Sequence, residues 1–292
     1  MSDIRKQDFD WSYLNESSQN SEKNIQNIEL EVLRDFPDHP FSVNFEDEDM
    51  TRLVQSINEN GVMCPGIARN IGKGYFGIIS GHRRKAACEL LGIEKMPFLI
   101  VEMSDEEATI AMVDANLHRE RIKLSEKAFA YKMKLDVIKQ ERNTGAQVEP
   151  QGRSTEKLAL FVNDSSAQIK RLLRLTYLNE DLLKCVDQRK LAFNTAVEIS
   201  YLRQEEMSTI LKIYQEKKKF PLLKSAKEFR EYSEQGTLNE SKMREIINNA
   251  ENKKSSMNVP DSFFPKNSTL TSEEKSDLVR KLLSEYFKKE NA

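Results

Sequence analysis

The chain has no run of about 18 apolar residues, so nothing in it reads as a membrane-spanning helix. Cysteine is scarce: Cys64, Cys88 and Cys185 are far apart, odd in number and set among apolar neighbours. That spacing excludes a metal-binding knot and a disulfide framework, and three buried thiols are expected. No apolar signal core follows Met1-Ser2-Asp3-Ile4-Arg5, so a cytoplasmic protein is expected. No internal repeat is visible. Residues 1–27 are poor in apolar side chains and rich in Asn, Ser, Glu and Gln, which predicts disorder. The only Trp lies there, in Phe9-Asp10-Trp11-Ser12-Tyr13-Leu14. Two readings stand for that cluster: a segment that orders on a partner, or a strand or helix packed on its own domain.

A length of 292 residues leaves room for about two domains. The net charge of −2 conceals an asymmetry. Residues 1–50 hold 4 Lys and Arg against 13 Asp and Glu, and the rest of the chain holds 41 against 34. An acidic head on a mildly basic body permits nucleic-acid binding without requiring it.

From Ile28 to Val101 short strands alternate with helices. Strands are predicted at Ile28–Leu33, Val62–Ala68, Tyr75–Ile79 and Met96–Val101. A helix over Asp47–Asn60 places Met50, Leu53, Val54 and Ile57 on one face and stops at Gly61. A second runs from Gly81 to Leu91 and stops at Gly92. Beyond Val101 the pattern is helical. Ser104-Asp105-Glu106-Glu107 is a capping box opening a helix to about Leu117. Another covers Leu124–Arg142, and a flexible link is expected over 143–153, where Gly145, Pro150 and Gly152 fall. Helices resume from Ser154 to about Ala250. A second linker is expected over 251–268. A last helix, capped by Thr271-Ser272-Glu273-Glu274, carries a stripe of Leu278, Leu282, Leu283 and Tyr286. It is too short to stand alone and must dock.

The most informative segment is Ile78-Ile79-Ser80-Gly81-His82-Arg83-Arg84-Lys85-Ala86-Ala87. A strand ends, a glycine turns the chain, and a helix starts with three cations. Helix N-termini favour Asp and Glu, so Arg-Arg-Lys there is unfavourable unless an anion binds. Free backbone N–H groups with arginine forks suit a polyphosphate. A solvated basic face behind a turn is the competing account. A second polar cluster, Asp114-Ala115-Asn116-Leu117-His118-Arg119-Glu120-Arg121, ends the next helix. Alone it is weak, because basic residues suit any helix C-terminus.

Together with Gln55–Val62, Pro65 and Tyr75, these two boxes resemble the N-terminal domain of the ParB/RepB partition family. The family pattern has a Gly-Glu-Arg-Arg box and a Glu-Asn-Leu-Gln-Arg box. The resemblance implies a CTP and Mg²⁺ site in a DNA-sliding clamp. Nucleotide contacts fall by this implication on Gly81, His82, Arg83, Arg84, Ala87, Asn116, His118, Arg119 and Glu120, with Asn116 also at the metal. His82 and His118 replace the usual Glu and Gln. Ala115 stands where the family has the Glu linked to hydrolysis, and a methyl group cannot orient a water. Asp38-His39-Pro40-Phe41 replaces the usual Gln-Pro-Arg, which brings the chain nearer the RepB-like proteins of plasmids and mobile elements.

Further on, Ser154–Leu160, a turn at Phe161–Asp164 and a helix over Ser165–Tyr177 read as a helix-turn-helix. Ile169, Leu172, Leu173 and Thr176 are expected inward. Ser165, Ser166, Gln168, Lys170, Arg171 and Arg174 face outward as candidate DNA contacts, since small hydroxyls approach phosphates and Gln or Arg reach base edges. A charged helix on a bundle surface is the competing account, and the resemblance, which runs to about Tyr201, favours DNA. Ser166 stands where many relatives carry a DNA-contacting Arg. The run Lys217-Lys218-Lys219 with Lys224, Lys227 and Arg230 reads as a solvated helix face ahead of further phosphate contacts.

The expected fold is thus α+β: a small ParB/sulfiredoxin-like α/β domain over 28–122 and a helical DNA-binding domain over 123–250, with a linker and a C-terminal helix over 269–292. The resemblance implies a homodimer on a centromere-like duplex site, a ParA-type ATPase partner, and a nucleoid- or plasmid-associated location. Relatives often recruit that ATPase through a basic N-terminal peptide, and this head is acidic. A helix-turn-helix transcriptional or copy-number regulator is the alternative. A nucleotide-dependent kinase would have no use for residues 154–250. Sulfiredoxin chemistry needs a Cys before the His-Arg pair, where this chain has Gly81.

Overall fold

The computed structural model describes residues 25–43, 45, 47–117, 122–144, 153–162, 164–254, 260, 263–265 and 270–290. The chain divides after Arg189 into two compact units. The first is built on a five-stranded sheet of order β1-β5-β3-β4-β2. Its strands are β1 (Ile25–Glu29), β2 (Leu33–Arg34), β3 (Gly66–Gly72), β4 (Tyr75–Ser80) and β5 (Lys95–Ile100). β1 and β5 run antiparallel, as do β3 and β4, while β3 with β5 and β2 with β4 are parallel.

The predicted strand Ile28–Leu33 is divided. β1 starts three residues earlier, and a 3-10 turn over Leu30–Val32 interrupts the run. The turn carries the chain from one sheet edge to the other, so Leu33 pairs with Phe76 while Ile28 pairs with Met96. Val62–Ala68 is also displaced. The ladder begins only at Gly66 and continues to Gly72, opposite Tyr75. Just before Gly66, the carbonyls of Cys64 and Pro65 accept from an arginine side chain.

Side chains alternate across a strand, so each strand feeds both faces of the sheet. Ile78 and Ala68 enter one core with Phe98 and Met96. Ile79 enters the other. The first core is closed by helices α1 (Glu48–Asn60), through Met50 and Ile57, and α2 (His82–Leu90), through Ala86, Ala87 and Cys88. The second is closed by α3 (Asp105–Leu117), through Ala108, Ala111, Met112 and Val113, and α4 (Leu124–Thr144), through Ala130. Burying a side chain such as Phe98 contributes roughly 1.5–3 kcal/mol. Gly66 is required beside it, since a Cβ there would come within 2.3 Å of the ring.

The expected capping box is present, with Ser104 and Glu107 bonding reciprocally at 3.2 and 2.8 Å. Asp47, expected as the first helical residue, instead caps α1 and accepts from the Met50 N–H at 2.5 Å. After α4 the first unit ends with α5 (Arg153–Val162), α6 (Ser166–Leu175) and α7 (Glu180–Asp187). Phe161 and Val162, expected in a turn, belong to α5. The Lys134 ammonium lies 5.0 Å from the centre of the Phe161 ring, so the last turn of α5 is in contact with α4. The Phe9–Leu14 cluster lies outside the described residues, as does most of 143–153.

The second unit holds α8 (Phe193–Ile199), α9 (Gln204–Lys217), α10 (Leu223–Glu234), α11 (Glu240–Lys254) and α12 (Ser272–Glu290). Met207, Ile210, Ile213, Phe229, Met243 and Ile246 are among its buried side chains. α11 runs past Ala250 to Lys254, four residues into the expected linker. Arg230 pairs with Glu198 and Glu234, and Lys217 bonds Asn248, so part of the basic run serves the bundle itself. Among the described residues, no helix is long and apolar enough to cross a membrane.

Candidate nucleotide and nucleic-acid sites

Strand β4 ends at Ser80, and Gly81 turns the chain into α2 with φ +116°. Only glycine suits this point. The dihedral disfavours side chains, and a Cβ would lie 3.1 Å from the Gly66 Cα. The Lys85 N–H then donates to the Gly81 carbonyl at 2.9 Å, closing the first turn. Above this turn opens a cavity of about 420 Å³. It is lined by Asp49 and Leu53 of α1, by Ser80 through Arg84, and by Ala115 and Asn116 at the end of α3. Both sequence boxes therefore meet on one cavity. Ala87 does not join them, being fully buried in the core under α2. His118, Arg119 and Glu120 lie outside the described residues.

The arginines are already held. Arg84 Nη1 donates to the carbonyls of Cys64 and Pro65 at 2.6 and 2.8 Å, clamping the loop between α1 and β3. Burial pulls its pKa down from the usual arginine value, although a guanidinium in a protein stays a cation. Arg83 Nη2 donates to Asp47 Oδ1 at 3.2 Å. Asp47 was legible in the sequence only as the start of a helix, and its charge on Arg83 depends on the fold. Asn116 is buried, and its amide nitrogen donates to the Met112 carbonyl at 2.7 Å.

His82 is buried, and its ring centre lies 4.0 Å from that of His39. His39 Nδ1 in turn donates to the Phe41 carbonyl at 2.8 Å. The two departures from the family pattern, at position 82 and over Asp38–Phe41, thus meet in space. His82 also lines a second cavity of about 360 Å³, along with Phe41, Val43, Phe45 and the Lys85–Glu89 face of α2.

Asp114 does not line the first cavity. Its Oδ1 accepts from Lys134 Nζ of α4 at 2.6 Å, and Lys134 is only 2% exposed. A water-activating role for Asp114 at the cavity therefore finds no geometry. A Mg²⁺ ion, implied by the resemblance, also fits this donor set poorly. Such ions are held by one or two carboxylates plus phosphates. The one carboxylate on the described lining, Asp49, is paired with Arg52.

α4 reaches the other candidate region as well. Tyr131 Oη donates to Asp164 Oδ2 at 2.6 Å, and Lys127 Nζ pairs with the same oxygen at 2.7 Å. Asp164 sits in the turn between α5 and α6. Burial pushes its carboxyl up, but the bonds from Lys127 and Tyr131 outweigh that and hold it below its usual value. Burial also drives the Tyr131 phenol well above its usual range.

α6 packs on α4 and α5 through Ile169, Leu172 and Leu175. Leu173 and Thr176, expected fully inward, are only half-buried, and the helix ends at Leu175. Ser165 caps it, accepting from the Gln168 N–H at 3.2 Å. Lys170 and Arg171 are exposed, while Gln168 and Arg174 are half-buried. The Arg174 guanidinium stacks over Tyr177 at 4.4 Å. Ser166 turns toward α5, its hydroxyl 3.5 Å from the Thr155 carbonyl.

A glycine turn, a cationic helix start and a facing helix end define a small α/β domain with an anion-type pocket. Residues 14–117 match the ParB N-terminal domain family, and the chain carries that domain and has ParB-named homologues. It is 31% identical over 172 residues to the probable chromosome 1-partitioning protein ParB of Deinococcus radiodurans, covering 59% of this chain and 54% of that protein. It is 32% identical over 168 residues to the nucleoid occlusion protein of Halalkalibacterium halodurans, covering 57% and 54%. The chain thus spans about half the length of these curated relatives. Among solved structures it is similar to the pNOB8-like ParB N-domain, with 17% identity, a TM-score of 0.46, and 79% of this chain and 96% of that one covered. It is also similar to the C-terminally truncated ParB of Caulobacter crescentus complexed with CTP-γ-S, with 22% identity, a TM-score of 0.30, and coverage of 65% and 98%.

Proposed function

We propose that this chain is a DNA-binding partition protein that reads a centromere-like duplex site through α6 and holds a cytidine nucleotide at the Gly81 cavity. The observation that carries the reading is the convergence of Gly81–Arg84 and Asn116 on one cavity within a ParB N-terminal domain. The relatives named for chromosome partitioning and nucleoid occlusion support the DNA role. His82, Arg83 and Arg84 meet the phosphates, and His118, Arg119 and Glu120 complete the site from the segment after α3. Ser165, Ser166, Gln168, Lys170, Arg171 and Arg174 form the DNA face, with Lys170 and Arg171 its exposed cations. The nucleotide acts as a bound switch without turnover, since Ala115 offers no base and Asp114 is held by Lys134.

The division of labour follows the sequence: nucleotide binding over 28–122, DNA binding over 123–250, and dimerisation through 269–292. Support for the last comes from α12, whose Leu278, Leu282, Leu283 and Tyr286 are all exposed. A ParA-type ATPase is the proposed partner, met by an acidic rather than a basic head. The protein acts on the nucleoid or on a plasmid.

The test is binding of labelled CTP, with ATP and GTP as competitors, with and without DNA from around the protein's own gene. DNA-stimulated, CTP-selective binding is expected. A second reading, a plain helix-turn-helix regulator, is favoured by one observation. Arg83 and Arg84 already have protein partners, so the box can be structural. Site-specific DNA binding with no nucleotide bound would select it.

A further inference from the structure

Charge around the Gly81 cavity is unevenly matched. Among the described residues, three carboxylates stand on its lining or beside it, and a protein cation holds each one. Asp47 is on Arg83 at 3.2 Å, Asp49 is on Arg52, and Asp114 is on Lys134 at 2.6 Å. The two positions where the family pattern carries Glu hold an imidazole, His82, and a methyl group, Ala115. Both line the cavity. The side-chain oxygen donors left on the described lining are the Ser80 hydroxyl and the amide of Asn116, whose nitrogen is tied to Met112. Mg²⁺ demands near-octahedral oxygen ligands and dehydrates reluctantly, so this set holds it poorly. Opposite these groups stands the N-terminus of a nine-residue helix with Arg83 and Arg84, and no acidic residue, in its first turn.

We infer that this cavity neutralises a polyphosphate directly, with arginine forks and helix-terminal N–H groups in place of a divalent cation. The inference rests on the nucleotide reading proposed above. An incoming phosphate joins Asp47 on the Arg83 fork, of which only Nη2 is taken, so the carboxylate keeps both its cation and the Met50 N–H. His82 adds no negative charge that a metal would have to screen.

The experiment is CTP binding by calorimetry to the full chain, once in excess Mg²⁺ and once in EDTA. The dissociation constants are expected to agree within about threefold, a difference under 1 kcal/mol. A loss of about tenfold or more in EDTA overturns the inference and leaves the nucleotide reading standing. Absence of binding in both buffers overturns the nucleotide reading, and the inference with it. Ala115→Glu, at a half-buried lining position, restores one carboxylate without touching the core. It is expected to weaken binding in EDTA by about tenfold and to recover in Mg²⁺. His82→Glu is the second variant, with the same expected pattern. If both fold, judged by unchanged circular dichroism, and neither becomes metal-dependent, the charge argument fails.

Discussion

The two candidate sites differ in how their cations are held. At the cavity, Arg83 and Arg84 are half-buried and fixed by a carboxylate and two carbonyls. On α6, Lys170 and Arg171 are exposed and have no ion pair among the described residues. A fixed cation loses little freedom when a ligand arrives, whereas an exposed one must be ordered but can adjust to what it meets. The first arrangement suits a ligand of constant geometry, such as a phosphate chain. The second suits a surface that varies with sequence, such as the edges of base pairs.

α4 joins the two regions, so breaking it tests the comparison most severely. Lys134→Ala leaves Asp114, a largely enclosed carboxylate, without its cation and should cost up to about 3 kcal/mol. The check is the urea midpoint, and a loss below about 1 kcal/mol would mean the pair is solvated. Replacing both partners with apolar residues should recover most of the loss.

Next in size is Arg84→Ala, which removes an anion contact and releases the Cys64–Pro65 loop. CTP affinity should fall about 100-fold, near 2.7 kcal/mol, while DNA-site affinity stays within about twofold. Unchanged CTP affinity would refute the placement of the phosphates at α2. Arg171→Ala should weaken specific DNA binding by roughly 1–3 kcal/mol if its fork reads a base. An equal loss on random DNA would make it a phosphate contact only.

The smallest expected effect is acid-linked. The Asp164 carboxyl is held below the ordinary Asp value of 3.8, so its contribution is complete above that pH. It is lost as pH falls through the lower folded value. Asp164→Asn should therefore flatten the fall in stability below about pH 4. Identical slopes for the variant and the parent chain would remove Asp164 from the acid transition.

Much of this was legible from residues alone. Ser104 with Glu107 marked a helix start, Gly61 and Gly92 marked ends, and Gly81 before Arg83 and Arg84 marked the cavity. Each of these signals is local, a matter of neighbours within four residues. The inward face of α6 was legible in part: Ile169 and Leu172 were read correctly, while Leu175 took the place given to Leu173 and Thr176. α5 runs two residues past its expected end at Leu160, because Phe161 and Val162 carry no stop signal and helix ends are the least local of these features.

The sequence by itself determined the alternation of strands and helices, the caps, and the two boxes of polar residues, because propensity, periodicity and capping act over one or two turns of backbone. Only the tertiary structure decided which charges are spoken for. It split the first strand between opposite sheet edges, set His39 against His82, and gave Asp47 to Arg83 and Asp114 to Lys134. Such pairings join residues far apart in the chain, and burial sets their strength. Whether a carboxylate is available to a ligand is therefore settled only when the whole domain has packed.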